Sequence, residues 1–185
     1  MHSIYFILFL LISILTSSYG QVTCASGWVE YGGSCYLINP AFNSGSTTGT
    51  WDQCNAYCTA SYPGATMLCV RNAAEMSWIV PQSQYGDNWI GYTDMPPYGG
   101  GKGTKQYGWV TGCTSTYSNW APGQPDYRGS DPYTAALFSW NGYWQDETSR
   151  TSTSCGCQYK LALTTPSSGS TSSPTSIPSS GAVSE

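Results

Sequence analysis

Histidine is almost absent from this 185-residue chain, which contains only His2. Once an amino-terminal signal is cleaved, no histidine remains to serve as a general base, complete a catalytic triad or bind zinc. Charged residues are also scarce, at 9% of the sequence with a formal net charge of −4. Because no basic patch is available to neutralise phosphates, we expect no nucleic-acid partner.

The sequence also lacks an apolar run long enough to span a membrane, which requires about 20 residues. Its amino-terminal apolar segment, residues 4–15, has the length of a signal-peptide core and is followed by the small residues Ser18 and Gly20. We therefore expect a signal peptide over residues 1–20, a secreted protein and no membrane insertion.

Core-forming residues are missing from the carboxyl-terminal segment. Between Thr164 and Gly181, Ile177 is the only residue that is not Ser, Thr, Pro or Gly, and such a composition cannot bury a core. Residues 163–185 are therefore predicted to be a disordered tail that resembles an O-glycosylated stalk. Residues 21–162 remain as one domain of sufficient length to bury a core.

Cysteine and aromatic residues, by contrast, are plentiful. All eight cysteines lie beyond the signal segment, and an even number in an exported chain predicts a disulfide framework. Aromatic residues make up 15% of the chain and include eight tryptophans. Some of them should fill the core, and exposed ones are suited to stacking against sugar rings.

The pattern of apolar residues predicts an α+β domain. Residues 50–62 place Trp51, Cys54 and Cys58 on one helical face, and residues 73–80 form a second candidate helix. Strands are predicted where β-branched and aromatic residues cluster, at residues 35–38, 88–92, 107–112, 134–140 and 155–160. Two early helices followed by several strands are typical of the α+β class.

Six segments, taken in order, resemble the C-type lectin-like domain family. They are CASGWVEYGGSCY, TWDQCNAYC, WIGY, YGWVTGCTSTYSNWAPGQPD, NGYWQD and CQYK, and together they span nearly all of residues 24–160. The resemblance implies two helices flanking antiparallel sheets, with a long loop that binds calcium and sugar. It also implies a binding protein rather than an enzyme.

In this family a calcium ion is held on the long loop, where the sugar coordinates it directly. The resemblance assigns the calcium ligands to Gln124, Asp126, Asp131, Gln145 and Asp146. Oxygen atoms of carboxylates and amides are the ligands that calcium prefers. The family also has a cis peptide bond at the position of Pro125, which turns the two flanking side chains towards one ion.

Several positions depart from the family pattern. Asp131 stands where a Glu is usual and Gln145 where an Asn is usual, and each differs in length by one C–C bond, about 1.5 Å. Alternatively, Asp131 initiates the turn before Pro132 and Gln145 points to solvent. The disulfide that usually closes the loop is absent, because Tyr133 and Ser149 occupy its positions.

The cysteines of the first helix and the last strand suggest two parallel bridges. The resemblance pairs Cys58 with Cys157. Cys54 lies one helical turn before Cys58, a rise of about 5.4 Å. Cys155 lies two strand residues before Cys157, a rise of about 6.6 Å. A second bridge between Cys54 and Cys155 is therefore geometrically reasonable.

The other pairings are partly open. The resemblance implies a bridge between Cys24 and Cys35, and a Cys54–Cys155 bridge would leave Cys69–Cys113. The sequence alone does not exclude the competing set, which is Cys54–Cys69 with Cys113–Cys155.

The tripeptide Gln124-Pro125-Asp126 resembles the galactose-type sequence of the family. Exchanging amide and carboxylate across the ion exchanges the donors and acceptors that meet the sugar hydroxyls, which favours the 3- and 4-hydroxyls of galactose. The proposed sugar contacts are therefore Gln124, Asp126, Gln145 and Asp146. Tyr127 is the candidate for stacking on the apolar face of the sugar, and alternatively it covers the loop surface.

Three functions are compatible with the sequence. The preferred one is calcium-dependent binding of galactose- or N-acetylgalactosamine-type glycans. The second is a calcium-independent lectin-like module that binds a protein or another non-sugar ligand. The third is hydrolysis by paired carboxylates, which Asp146 and Glu147 disfavour because neighbours on a strand face opposite ways. The oligomeric state and the natural glycan stay open.

Overall fold

The computed structural model describes residues 23–40, 48–84, 86–102, 104–110, 112–126 and 133–162. The predicted signal peptide over residues 1–20 and the predicted tail over residues 163–185 lie outside the described residues, as do Tyr127 and Asp131. Residues Thr23–Leu161 belong to one compact unit.

Both predicted helices are present. Helix α1 spans Trp51–Ser61 and begins with a capping box, in which Thr50 Oγ1 accepts from Gln53 N and Gln53 Oε1 accepts from Thr50 N. Helix α2 spans Ala73–Gln82 and is capped by the Asn72 side chain. These side chains satisfy amide groups that have no partner inside the helix, which fixes where each helix begins.

The described residues also contain nine strands. They are β1 Val29–Tyr31, β2 Ser34–Ile38, β3 Thr48–Gly49, β4 Thr66–Met67, β5 Asn88–Thr93, β6 Gly108–Trp109, β7 Thr134–Phe138, β8 Trp144–Thr148 and β9 Thr153–Lys160. The main order is β1-β2-β9-β5-β7-β8, with β3 and β4 beside β9 and β6 beside β5. The pairs are antiparallel except for β5 with β9, which is parallel.

This architecture confirms the predicted α+β class of two helices with mainly antiparallel sheet. Four predicted strands match β2, β5, β7 and β9 closely. The fifth, predicted over residues 107–112, is reduced to Gly108–Trp109, because only Tyr92 and Thr93 of β5 pair with it.

Three fully buried tryptophans fill the core, and each finds a partner for its indole N–H. Trp51 Nε1 donates to Ile90 O at 3.0 Å and Trp89 Nε1 donates to Gly49 O at 3.1 Å. Trp144 Nε1 contacts the Met76 sulfur. Because buried indole groups need such partners, the contacts fix these rings and hence the strands around the site.

The structure selects between the two disulfide sets. Cys54–Cys155 and Cys58–Cys157 join α1 to β9 side by side, with Cα separations of 5.6 and 5.3 Å. The other two bridges are Cys24–Cys35 and Cys69–Cys113. The parallel arrangement follows from the helical spacing on one side and the strand spacing on the other.

Candidate functional site

The tripeptide at residues 124–126 forms a turn with a cis peptide bond between Gln124 and Pro125. The turn is closed by a hydrogen bond from Gln124 N to Ala121 O at 2.9 Å, and Gly123 within it has a φ of +84°. Glycine adopts that conformation without steric cost. Gln124 and Asp126 are both half-buried, so their side chains lie at the protein surface without being fully in solvent.

Strand β8 holds this turn through Asp146. Asp126 N donates to Asp146 Oδ1 at 2.8 Å, and Asp146 N donates to Gln124 Oε1 at 3.1 Å. Asp126 N also lies 3.4 Å from Gln124 Oε1. The structure therefore brings together Gln124, Asp126 and Asp146, three of the five residues that the sequence assigns to the metal.

A tyrosine that the sequence does not single out orients the Asp146 carboxylate. The Tyr107 hydroxyl donates to Asp146 Oδ2 at 3.0 Å and also contacts the Thr134 hydroxyl. Burial raises the pKa of the Tyr107 phenol, and the charge of Asp146 raises it further. The phenol therefore stays protonated at neutral pH and acts as a permanent donor to the carboxylate.

A second carboxylate lies beneath the site. Asp94 is fully buried, and its Oδ1 accepts from Thr134 N at 2.8 Å. Its Oδ2 has no hydrogen-bond partner among the described residues. Burial raises the pKa of the Asp94 carboxyl, and the nearby Asp146 charge adds to that rise. Both effects favour the neutral form of the Asp94 carboxyl over its charged form.

The structure does not bring the other two predicted ligands, Gln145 and Asp131, into these contacts among the described residues. Gln145 is half-buried, and its side chain makes no hydrogen bond within the described part of the chain. It precedes Asp146 on β8, and successive strand residues point to opposite faces. Asp131 and the proposed stacking residue Tyr127 lie outside the described residues.

The base of the loop is joined by a backbone contact where the family usually has a disulfide. Ser149 N lies 3.3 Å from Tyr133 O, one position beyond the pair Thr134 and Thr148 of the β7–β8 ladder. Ser149 O in turn accepts from Trp51 N at 3.0 Å. Tyr133 and Ser149 therefore face each other at the positions of the usual disulfide, without a covalent bond.

The oxygen atoms of this site suit a hard cation. Gln124 Oε1 and both oxygens of Asp146 are amide and carboxylate oxygens, the chemistry that calcium prefers. Among the described residues, no cluster of three or more His, Cys, Asp or Glu residues could hold a metal.

Residues 47–159 match the protein family described as the lectin C-type domain. The chain belongs to the C-type lectin family. Its domain is thus a carbohydrate-binding domain rather than an enzyme, and domains of this family are extracellular. None of the helices in the described ranges is long and apolar enough to cross a membrane.

Two relatives of this C-type lectin domain are mammalian receptors. Asialoglycoprotein receptor 1 of Rattus norvegicus is 27% identical over 150 residues, covering 76% of this chain and 46% of the receptor. Asialoglycoprotein receptor 2 of Mus musculus is 31% identical over 137 residues, covering 70% of this chain and 40% of the receptor. The chain therefore spans less than half the length of these relatives.

Solved structures confirm the C-type lectin fold. The C-type lectin CEL-I from Cucumaria echinata aligns with a TM-score of 0.61 at 24% identity, covering 76% of this chain and 99% of that one. A calcium-independent type II antifreeze protein aligns with a TM-score of 0.62 at 21% identity, covering 78% and 99%. At these identities the likeness concerns the fold alone.

Proposed function

We propose that this C-type lectin is a secreted protein that binds galactose- or N-acetylgalactosamine-type glycans through a calcium ion. The proposed ligands of the ion are Gln124, Asp126, Asp131, Gln145 and Asp146. The observation that carries the proposal is the pair of hydrogen bonds, of 2.8 and 3.1 Å, by which the turn at Gln124 and Asp126 is held against Asp146. Calcium would supply a point of attachment for two neighbouring sugar hydroxyls.

The described residues have distinct tasks in this proposal. Asp146 supplies negative charge, and Tyr107 holds its carboxylate in one orientation. Lys105 lies 3.4 Å from Pro125 O through its Nζ atom and so contacts the turn from the other side. The part of the site that the structure describes is thus held by hydrogen bonds before a ligand arrives, which lowers the entropy lost on binding.

The choice of galactose rests on the order of amide and carboxylate in Gln124-Pro125-Asp126. An amide donates as well as accepts hydrogen bonds, whereas a carboxylate only accepts, so this order selects which hydroxyls meet which ligand. Relatives named as receptors for asialoglycoproteins, glycoproteins without sialic acid, support a neutral terminal sugar. Tyr127 is proposed to stack on the apolar face of that sugar.

Retention on a galactose resin tests the proposal. The protein should bind in millimolar calcium and elute with a chelator, and Asp126→Ala should abolish retention without unfolding the domain. Asp52→Ala is the matched control, because it removes an exposed carboxylate from the first turn of α1, away from the proposed ligands. Passage of the folded protein through the resin with calcium present would refute the sugar assignment, and retention of Asp126→Ala would place the site elsewhere.

The alternative is a calcium-independent module for a protein or another non-sugar ligand. One observation favours it: Tyr133 and Ser149 replace the usual loop disulfide. Thermal unfolding with and without millimolar calcium distinguishes the two, since a ligand that binds only the folded state raises the melting temperature. An unchanged melting temperature would favour the alternative.

A further inference from the structure

One tryptophan is placed unlike the others. All eight tryptophans lie among the described residues, and seven are buried or half-buried. Trp140 has 72% of its surface exposed, and the nearby Tyr143 has 48% exposed. None of the aromatic ring pairs found among the described residues includes either ring. Because tryptophan is highly buried on average, this exposure has to be explained.

The turn that carries these rings is held firmly in place. It connects β7 to β8, and Ser139 N donates to Tyr143 O at 3.1 Å while Gly142 N donates to Ser139 O at 2.8 Å. Gly142 has a φ of +81°, and a Cβ atom there would lie 3.1 Å from Val80 of α2. The turn therefore packs tightly against α2 and presents its aromatic rings from a rigid base.

A groove of about 420 Å³ lies beside the turn, between it and α2. None of its lining residues is charged; Met76, Val80 and Tyr143 contribute apolar surface, and Asn119 and Asn141 contribute amides. Its volume falls within the range typical of small-molecule sites, about 300–1,000 Å³. An uncharged groove with aromatic and amide groups fits a neutral polar ligand rather than an ion.

Each of the two asparagine side chains at the groove uses only one of its two polar atoms in a hydrogen bond within the described part of the chain. Asn119 Nδ2 donates to Gly142 O at 2.8 Å, and Asn141 Oδ1 accepts from Tyr143 N at 3.1 Å. The side-chain oxygen of Asn119, Oδ1, and the side-chain amino group of Asn141, Nδ2, have no partner in the described part of the chain. An oriented acceptor and an oriented donor therefore flank an aromatic face, which is the combination that matches the hydroxyls and the C–H face of a sugar ring.

We propose that the β7–β8 turn and this groove form a second sugar-binding site, which takes a neutral pyranose ring without calcium. The ring stacks on Tyr143, which lines the groove, and its hydroxyls bond to Asn119 and Asn141, while Trp140, exposed on the same turn, borders the bound sugar. Tyr143 directly precedes β8, which begins at Trp144 and also carries Asp146.

Lactose in the presence of chelator is the probe, because it contains both a galactose and a glucose ring. Binding is followed by NMR through the indole N–H signal of Trp140, assigned from the spectrum of Trp140→Phe. Titration in the Asp126→Ala background should shift this signal, so that the result is independent of the proposed calcium site. Trp140→Phe, which keeps a ring, should retain lactose binding, as judged from the Asn119 and Asn141 side-chain signals.

Trp140→Ala combined with Tyr143→Ala should weaken lactose binding at least about tenfold, the equivalent of one lost aromatic contact of about 1.4 kcal/mol. Val29→Ala, which trims a side chain that is 52% exposed in β1, is the control and should change nothing. The unchanged signals of the buried tryptophans report that each variant is folded. An unmoved Trp140 signal at tens of millimolar lactose would overturn the proposal. Full lactose binding by the double variant would also overturn it. The same holds for a Trp140 signal that shifts with phosphatidylcholine vesicles but not with lactose.

Discussion

The α1–β9 contact and the turn at Gln124 are held by different kinds of bond. Helix α1 is joined to β9 by two disulfides within one helical turn, surrounded by fully buried Trp51 and Trp89. The turn at Gln124 is held to Asp146 by backbone-to-side-chain hydrogen bonds. Disulfides and apolar burial thus stabilise the α1–β9 contact, while hydrogen bonds hold the turn at Gln124 to Asp146.

This difference separates stability from binding. A typical hydrogen bond contributes about 0.5–1.5 kcal/mol to stability, whereas a native disulfide contributes about 2–5 kcal/mol. Changes at the site should therefore alter binding with little effect on folding, and changes at the α1–β9 contact should do the reverse.

The largest effect should come from removing both α1–β9 disulfides as alanine pairs. With one bridge present, the other closes a ring of only about eight residues, so losing either one alone should cost about 2.5 kcal/mol of unfolding free energy. Losing both reopens a loop of about 100 residues and should cost about 7 kcal/mol in total. Urea unfolding of the two single-bridge variants and the variant without either bridge measures these costs.

The loss of both bridges should thus exceed the sum of the separate losses. Simple addition of the two costs would show that the bridges do not close a common loop. A variant that lacks Cys24–Cys35 is the comparison, because that bridge closes a separate loop with a sequence separation of 11 and its cost should add independently.

A smaller effect is expected from introducing a disulfide between positions 133 and 149, at the base of the loop. Tyr133→Cys combined with Ser149→Cys should form a disulfide, since facing residues of an antiparallel pair have Cα atoms within the bridging range, about 4.4–6.8 Å. The closed loop of about 16 residues predicts a gain of up to about 3 kcal/mol in unfolding free energy. Calcium affinity should rise as well, because residues 127–132 would be held at their carboxyl-terminal end.

Calorimetric titration with calcium and urea unfolding measure the two gains, and Tyr133→Ser is the control without a bridge. A variant that gains stability with unchanged calcium affinity would show that the end of the loop at Tyr133 does not limit binding.

The smallest expected effect concerns Asp94. Burial raises the pKa of its carboxyl above the usual value, so the native state prefers the protonated form. Its favourable contribution is therefore complete below the unfolded-state pKa and is lost as the pH rises through the raised native pKa. Asp94→Asn removes this loss, so in chelator it should melt a few degrees higher than the parent at pH 7 but not at pH 3.

Thermal melts at the two pH values test this directly. Asn is the replacement used because its side chain keeps the oxygen that accepts from Thr134 N. Ser has no oxygen at that position. An equal difference in melting temperature at both pH values would show that Asp94 acts through packing rather than through its charge.

Local patterns in the sequence were sufficient for much of the fold. The spacing of Cys54 and Cys58 on a helix and of Cys155 and Cys157 on a strand made a second, parallel bridge geometrically reasonable without excluding the other pairing, and the structure contains it. The two-residue strands β3 and β4 carry no periodic signal, because two positions cannot display an alternation. Their existence depends on partners far along the chain, such as Thr153 and Ser154 for β3.

The site divides in the same way. The grouping of Gln124 and Asp126 with Asp146 was predicted from the motif Gln-Pro-Asp and the resemblance that it carries. Tyr107 was not predicted as part of the site, because its role arises from contacts with Thr134 and Asp146, which lie 27 and 39 positions away in the sequence. No spacing within one segment signals such contacts. The roles of Asp131, Tyr127 and Gln145 remain predictions.

The double bridge between α1 and β9 has a geometric consequence besides its effect on stability. A single disulfide fixes the distance between two elements but leaves them free to pivot about the bond, whereas two attachments a helical turn apart also fix the direction of the helix axis. The first residue of that helix, Trp51, donates its backbone N–H to Ser149 at the foot of the binding loop. The segment between Tyr133 and Ser149 has no disulfide of its own, but it contacts a helix whose orientation is fixed by two disulfides.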